Sequence, residues 1–262
     1  MNQEVKDHIK NSLIKGVRLD GRGPQDLREI SIELDVVTTA EGSARVKFGD
    51  AEVLAGVKMS VESPFPDTPE DGVLMVNAEL LPLSNPDFET GPPGIDSIET
   101  SRVIDRGIRE SGCVDTKKLC LVKGEKVWFM AVDVHPINYD GNLIDMGGLA
   151  AMAALKSANF PSIDKDHNVD YHEKTKKKLD ISGLPIPITV CKIGDVLIVD
   201  PTDEEENAID ARLTVTSLDK DKLCSLQKGG AKPLSIEEIA EMVELALKKA
   251  DEVRKKLSEV LK

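Results

Sequence analysis

The sequence predicts an α+β fold of two similar halves, in which helices pack on mostly antiparallel sheets. Several short runs alternate apolar and polar residues with the period of two that is typical of half-buried strands. Other segments space their apolar residues by three and four positions, as amphipathic helices do. A short pattern also recurs, because Lys47–Asp50 and Lys192–Asp195 each place Gly-Asp between two predicted strands. This repetition suggests a duplicated unit of a sheet followed by a helix.

The composition argues against several classes of protein. The chain has 262 residues, of which 40% are hydrophobic, and a net charge of −13. This charge argues against indiscriminate binding to nucleic acids or anionic membranes. A local basic site stays open, because opposite charges more than about 10 Å apart are largely screened in about 0.1 M salt. No stretch reaches the ~18 apolar residues of a membrane span, and the first residues lack the apolar core of a signal peptide.

The cysteine, histidine and glycine patterns predict no cofactor. The four cysteines are scattered without a CxxC pair, which argues against a disulfide framework or a zinc site and predicts reduced thiols in a cytoplasmic protein. No histidine has a suitable spacing to a second metal ligand, and no Gly-rich nucleotide loop is present. We therefore expect neither a metal site nor a cofactor.

The first 30 residues are expected to form an extension. Apolar spacing predicts a helix from Val5 to Lys15 that Gly16 ends, followed by an ordered loop, RLDGRGPQDLR. The first half, residues 31–178, then begins with a meander of three antiparallel strands that includes a turn at Gly49-Asp50. A further strand is predicted to end at Pro82, and a hairpin turns at Lys123–Lys126.

Two helices are predicted within the first half. The first begins where Asp96 and Glu99 form a capping box, and it ends at Gly112. Asp145 is expected to cap the second, whose nearly uncharged sequence predicts that it is buried. Its glycine pair, Gly147-Gly148, is expected to allow close packing against a sheet.

Ser162–Lys178 is interpreted as a polar connection to the second half, residues 179–262. That half begins with two hairpins, the first of which turns at Gly194-Asp195. A capping box of Ser235 and Glu238 marks the start of the last helix. Its apolar residues form one stripe for packing on a sheet or a partner helix: Ile236, Ile239, Val243, Ala246, Ala250, Val253, Leu257 and Val260.

Three arginines lie on one face of the first of these internal helices. Arg102, Arg106 and Arg109 are spaced i, i+4 and i+7, which places them together. Three guanidinium groups in a row could hold successive phosphates through paired hydrogen bonds. The alternative is a solvated face with internal ion pairs such as Asp105 with Arg109, and for an isolated helix the residues alone favour it.

An acidic stretch, VDPTDEEENAID, follows an apolar strand near the end of the chain. Carboxylates at a strand end can hold Mg²⁺ or act as a general base. Five carboxylates within seven residues also repel each other unless a cation or solvent relieves them. An exposed acidic turn is the alternative, and the spacing alone favours it.

Five segments follow one another along the chain: RLDGRGPQDLRE, AEGSARVKFGDAEVLAGV, IETSRVIDRGIRES, YDGNLIDMGGLAAMAAL and VDPTDEEENAIDA. Taken together, these segments resemble a family of phosphorolytic exoribonucleases, the RNase PH-like family. Within this family the chain is most similar to the non-catalytic RNase PH-like subunit of the archaeal exosome. The resemblance implies two similar β/α halves and a hexameric ring of three heterodimers with a catalytic RNase PH-like subunit. It also implies RNA-binding cap subunits and degradation of single-stranded RNA from its 3′ end.

The chain departs from the active members of this family at the site that holds the attacking phosphate. Active members carry Gly-Gly-Thr-Arg or a similar Gly-Ser-Arg there, where this chain has Asn142–Asp145. Leu143 and Ile144 replace the hydroxyl and the guanidinium, and Asp145 adds a negative charge. Active members also carry arginines near Ile95–Ser97 and a basic loop where this chain has an acidic one. We therefore expect no phosphate binding and no catalysis.

Asp200 matches the first catalytic aspartate of the family, and Glu206 stands where the second is expected. Both are interpreted as relics that shape the strand end, with the neighbouring acids exposed. The resemblance implies that Arg102 and Arg106 face the RNA path at the joint with the catalytic subunit. It predicts a non-catalytic ring subunit that contributes to RNA binding and to structuring the partner's active site. The alternatives are an active nuclease that uses Asp200 and Glu206, or a ring scaffold without RNA contact.

Overall fold

The computed structural model describes residues 3–262, and the predicted arrangement of sheets with helices packed on them is confirmed. The helices are α1 (Gln3–Ile14), α2 (Ile95–Ser111), α3 (Leu143–Ser157), α4 (Asp203–Glu206) and α5 (Ile236–Val260). The strands are β1 (Ile30–Leu34), β2 (Gly42–Phe48), β3 (Ala51–Glu62), β4 (Val73–Ala78), β5 (Cys120–Val122), β6 (Lys126–Asn138), β7 (Asn159–Ile163), β8 (Val169–Lys178), β9 (Ile186–Ile193), β10 (Val196–Val199), β11 (Ala211–Ser217) and β12 (Leu223–Gly229).

The first sheet has the strand order β1-β2-β3-β6-β4, with β5 paired to β6. The predicted meander is confirmed, and its inward residues such as Val46, Val53 and Val57 are buried. β4 runs parallel to β6, which requires a crossover, and α2 lies within that connection. The strand predicted to reach Pro82 ends at Ala78 instead.

The second sheet has the strand order β10-β9-β11-β12, and all of its neighbours are antiparallel. Both predicted hairpins are therefore confirmed. Helix α2 contacts β4 of the first sheet and β12 of the second, while α3 contacts β2 and β3 of the first and β9 of the second. These two helices join the halves into one core.

Helix α3 is buried along nearly its whole length, as predicted, and glycines let it lie close to both sheets. A Cβ added to Gly42 of β2 would lie 2.3 Å from the carbonyl oxygen of Ala154 in α3. One added to Gly148 would lie 2.3 Å from the Cγ of Pro187 in β9. Close backbone approach thus requires glycine at both positions.

The predicted side-chain caps of α2 and α3 are wrong. Helix α2 begins one residue before Asp96, and its N-cap, Gly94, makes no side-chain hydrogen bond. Helix α3 begins after Asn142, whose φ of 59° lies in the left-handed region that asparagine tolerates. Asp145 lies inside the first turn, and its carboxylate accepts a hydrogen bond from the backbone N of Thr189 in β9 instead. Gly112 does end α2 with a φ of 66°, as predicted.

The connection Ser162–Lys178 is not an irregular linker, because β7 and β8 form a two-stranded hairpin there. Most of β8 is exposed, so its sequence lacks the alternation that a half-buried strand shows. Backbone pairing with β7 stabilises the strand without an apolar face.

The N-terminal extension packs on the second half. Alternate residues of a strand point to opposite faces, so Val190 of β9 joins the main core while Cys191 and Ile193 contact a separate cluster. That cluster contains Ile9 and Leu13 of α1, both buried. Helix α1 therefore covers part of the second sheet.

The capping box of Ser235 and Glu238 is confirmed at the start of α5, but the predicted stripe is only partly right. Ile236 is 82% exposed, and Ile239 and Val260 are also exposed, because the ends of the helix extend beyond the sheet. The buried residues are Met242, Leu245, Ala246, Lys249, Ala250, Val253 and Leu257.

Candidate functional site

The first candidate catalytic carboxylate, Asp200, is buried at the end of β10 and surrounded by donors. Its Oδ2 accepts from Arg22 Nη1 at 2.8 Å, and from the backbone N and Nε of Arg28 at 2.8 and 3.0 Å. Its Oδ1 accepts from Arg28 Nη2 at 2.7 Å and from Asn142 Nδ2 at 2.8 Å. Five donors saturate the roughly four lone-pair directions of a carboxylate.

Burial by itself would raise the pKa of Asp200, but hydrogen bonds and charge from Arg28, with the charge of Arg22, outweigh it. The pKa of Asp200 is therefore lowered. An ionised carboxylate with every oxygen engaged by arginine is a poor general base and a poor metal ligand. Asp200 ties the N-terminal loop to the strand end, which agrees with its interpretation as a structural relic.

A second buried ion pair lies beside it, and sequence reasoning missed it. Arg18 is 2% exposed and Glu205 is 1% exposed. Arg18 Nε donates to Glu205 Oε1 at 2.9 Å, and the other guanidinium nitrogens donate to the carbonyls of Val199 and Asp200 at 2.8 and 2.7 Å. The expectation that the other acids of this stretch are exposed is therefore right only for Glu204, because Glu205 is buried and Asp203 and Asp210 are half-buried. The signal in the sequence was Thr202 followed by Glu205 at the capping-box spacing, and that box does form.

The second candidate carboxylate, Glu206, lies at the N-terminus of α3. Its Oε1 accepts the backbone N–H of Asn142 at 2.8 Å, and its Oε2 accepts from the hydroxyl of Tyr139. Burial raises the pKa of Glu206, although these two hydrogen bonds act in the opposite direction. A helix N-terminus attracts anions, so the chain's own carboxylate already occupies the position that an external oxyanion would need.

A cleft of about 260 Å³ opens beside this helix start. Leu143 and Ile144 line it, as expected, and so do the acids Asp96, Glu99 and Glu206. The one cationic residue of its lining is Arg212, and its Nη2 donates to Glu99 at 2.7 Å. The cleft is therefore apolar and acidic, which disfavours a phosphate ion.

Asp145 does not line this cleft, which corrects the expected source of the repulsion. It is 2% exposed, and its carboxylate accepts from the backbone N and the Oγ1 of Thr189 at 2.9 and 2.7 Å. Burial raises the pKa of Asp145 to about 7. Asp145 therefore joins α3 to β9, and the acids that face an incoming anion are the three in the cleft lining.

The arginine face of α2, defined as Arg102, Arg106 and Arg109, is exposed. Arg109 pairs with Asp105, as the solvated-face alternative predicts. Within residues 3–262, Arg102 and Arg106 have no ion pair. Gly107 lies under this face, where an added Cβ would be 2.8 Å from Thr216 Oγ1 of β11. The helix is thus firmly seated on the second sheet and presents two unpaired cations to solvent.

Among residues 3–262, no group of three or more metal-ligating side chains is arranged to hold an ion. In the same part of the chain, no helix combines the length and the apolar character that crossing a bilayer requires.

Comparisons with known proteins agree over nearly the whole chain. The exosome complex component Rrp42 of Methanosarcina acetivorans is 45% identical over 95% of this chain and 91% of its own length. Its counterpart from Pyrococcus horikoshii is 44% identical over 98% of this chain and 95% of its own. A chain from the structure of the Archaeoglobus fulgidus exosome with RNA bound to the active site has a TM-score of 0.90, 42% identity and 97% coverage of both chains.

Family models divide the chain as the two sheets do. Residues 26–161 match domain 1 of the 3′ exoribonuclease family, RNase PH, and residues 183–249 match domain 2. The expected resemblance is confirmed. Because both domains match in order and these relatives align over nearly their full length, the chain belongs to the RNase PH family of 3′ exoribonucleases.

Proposed function

We propose that this chain is a non-catalytic ring subunit of an exosome that degrades RNA from its 3′ end with phosphate, in the cytoplasm. Three copies alternate with three copies of a catalytic RNase PH-like subunit in a hexameric ring, and RNA-binding subunits cap it. Support for the assembly comes from the relatives, which are named as exosome complex components. The chain contributes Arg102 and Arg106 to the RNA path and helps to structure the active site of its partner.

One observation carries the absence of catalysis. The anion position at the start of α3 contains the carboxylate of Glu206, and the adjoining cleft has two further acids, Asp96 and Glu99, in its lining. A phosphate ion placed there would find the N–H of Asn142 already engaged by Glu206 and the Nη2 of Arg212 already paired with Glu99. Without a bound nucleophile, the saturated Asp200 has no reaction to assist.

A degradation assay with 5′-labelled RNA and inorganic phosphate tests this proposal. The purified chain alone is expected to leave the RNA at full length, and shortening of the RNA is expected when a catalytic RNase PH-like subunit is added. An Asp200→Asn variant serves as the control. If the isolated chain degrades RNA and this substitution abolishes the activity, the chain is an enzyme and the proposal is wrong.

The arginine face provides a separate prediction. Replacing Arg102 and Arg106 with Glu reverses two unpaired, exposed charges, and it is expected to weaken RNA binding by the heterodimer at least ~10-fold in low salt. Fluorescence anisotropy with a labelled oligonucleotide measures the affinity.

The matched control is Lys255→Glu with Lys256→Glu, which reverses two exposed charges on α5. If the arginine variant loses no more RNA affinity than this control, the arginine face does not bind RNA. The chain would then be a scaffold without RNA contact.

A further inference from the structure

Strand β8 carries an unusual concentration of positive charge for a chain with a net charge of −13. Four lysines occupy its last five positions, and all four are exposed. The acids of the strand, Asp170 and Glu173, lie in its first five residues. Among the residues that the structure describes, none of the four lysines has a carboxylate partner, whereas Lys58, Lys118 and Lys192 do. The lysines of this basic strand are Lys174, Lys176, Lys177 and Lys178.

Aromatic rings and backbone groups orient several of these cations. The ammonium of Lys177 lies 4.9 Å from the ring centroid of Phe160, and Lys174 donates to the carbonyl of Ala40. Tyr171, at the other end of the strand, is 50% exposed, and the ammonium of Lys58 lies 4.9 Å from its ring centroid. The strand thus combines exposed ammonium groups on both of its faces with an exposed aromatic ring.

The basic strand leads toward the arginine face of α2. Ile181 forms a β-bridge with Val114, and the backbone N of Ser182 donates to the carbonyl of Cys113 at 2.8 Å. Cys113 is the second residue after the end of α2. Lys178 precedes Ile181 by three residues, which span at most roughly 11 Å. The lysine end of β8 and the C-terminal end of α2 therefore belong to one region of the surface.

We propose that β8 is a second RNA-binding element, in which lysines on both faces of the exposed strand contact phosphates of a single RNA strand and Tyr171 stacks on a base. Cationic grooves with aromatic rings are the usual means of binding single strands without sequence preference. A row of unpaired cations on an acidic protein complements a polyanion, and the exposed ring favours RNA over an acidic protein surface. The inference rests on the proposed function and extends the RNA path beyond Arg102 and Arg106.

The test measures binding of fluorescent oligouridylate to the full-length chain by anisotropy over a range of salt concentrations. The triple variant K176E, K177E and K178E is expected to bind at least ~10-fold more weakly than the natural chain at about 50 mM salt. The slope of log affinity against log salt is expected to fall by about 2, since each phosphate contact with a single strand contributes about 0.7.

The matched control is the triple variant K248E, K255E and K256E on α5, which makes the same change in net charge at exposed positions. Equal weakening by both triples would assign the effect to overall charge and overturn the proposal. Tyr171→Ala is expected to weaken binding without changing the salt slope, which separates stacking from charge.

The failure of this inference differs from the failure of the proposed function. If the triple variant of β8 binds RNA more weakly and the variant with R102E and R106E does not, RNA binding by the basic strand is supported. RNA binding by the arginine face is then contradicted. If the β8 triple keeps its RNA affinity but no longer assembles with the catalytic subunit, the strand is a protein contact and the inference is wrong. An absence of RNA binding by the natural chain, alone and in the heterodimer, overturns both.

Discussion

Replacing Arg18 with Ala is expected to lower the free energy of unfolding by about 3–5 kcal/mol, the typical effect of breaking a buried ion pair. The substitution leaves the buried carboxylate of Glu205 without its cation and removes donors from the carbonyls of Val199 and Asp200. Chemical denaturation followed by circular dichroism measures the change.

Two further variants identify the cause. Arg106→Ala makes the same substitution at an exposed position of α2, and it is expected to change the free energy of unfolding by less than about 0.5 kcal/mol. The double variant of Arg18→Ala with Glu205→Gln removes the uncompensated charge, so it is expected to be more stable than Arg18→Ala alone. A single Arg18→Ala variant as stable as Arg106→Ala would show that the buried pair has no structural role.

Replacing Asp145 with Asn is expected to stabilise the protein increasingly as the pH rises. Burial raises the pKa of Asp145 from 3.8 to about 7, so the folded state holds this proton more tightly than the unfolded state. The wild-type protein therefore loses stability as the pH rises between these values. The loss in the free energy of unfolding is complete above about pH 7. This pKa difference corresponds to roughly 4 kcal/mol. Denaturation curves of both proteins from about pH 5 to pH 8 measure the difference.

The asparagine variant is well matched because it keeps the hydrogen bonds. Its amide oxygen can accept from the N–H of Thr189, and its NH₂ group can donate to Thr189 Oγ1, which lies 2.9 Å from Thr214 Oγ1. Asp145→Ala loses both contacts, so it is expected to be less stable than Asp145→Asn at every pH. If the wild-type and Asp145→Asn stabilities run parallel across this range, the carboxyl of Asp145 does not titrate there.

Asp200 and Glu206, the two carboxylates to which the family resemblance points, both have structural partners in this chain. Asp200 connects β10 to Arg22 and Arg28 of the N-terminal loop, and Glu206 connects α4 to Tyr139 and the start of α3. Each carboxylate therefore joins segments that are distant in the chain. These contacts are a structural reason to keep both carboxylates that does not depend on catalysis.

Local patterns predicted most of the secondary structure. Alternation identified the meander of β1, β2 and β3, because one face of that sheet is buried. Gly112 and the capping box of Ser235 and Glu238 marked two helix ends, since caps depend on residues a few positions apart. The hairpin β7–β8 was missed because its residues are mostly exposed and show no alternation.

The sequence by itself determined most of the strands, the buried helix and the family, and it predicted that Leu143 and Ile144 replace the phosphate-binding residues. These features depend on side chains that are close in the chain or on motifs in a fixed order. Only the tertiary structure decided which carboxylate serves which purpose. Arg18 and Glu205 are 187 residues apart, and no local period records which side chains meet across such a distance. Asp145 was therefore expected at the anion site, whereas the packed core places it under β9 and gives that position to Glu206.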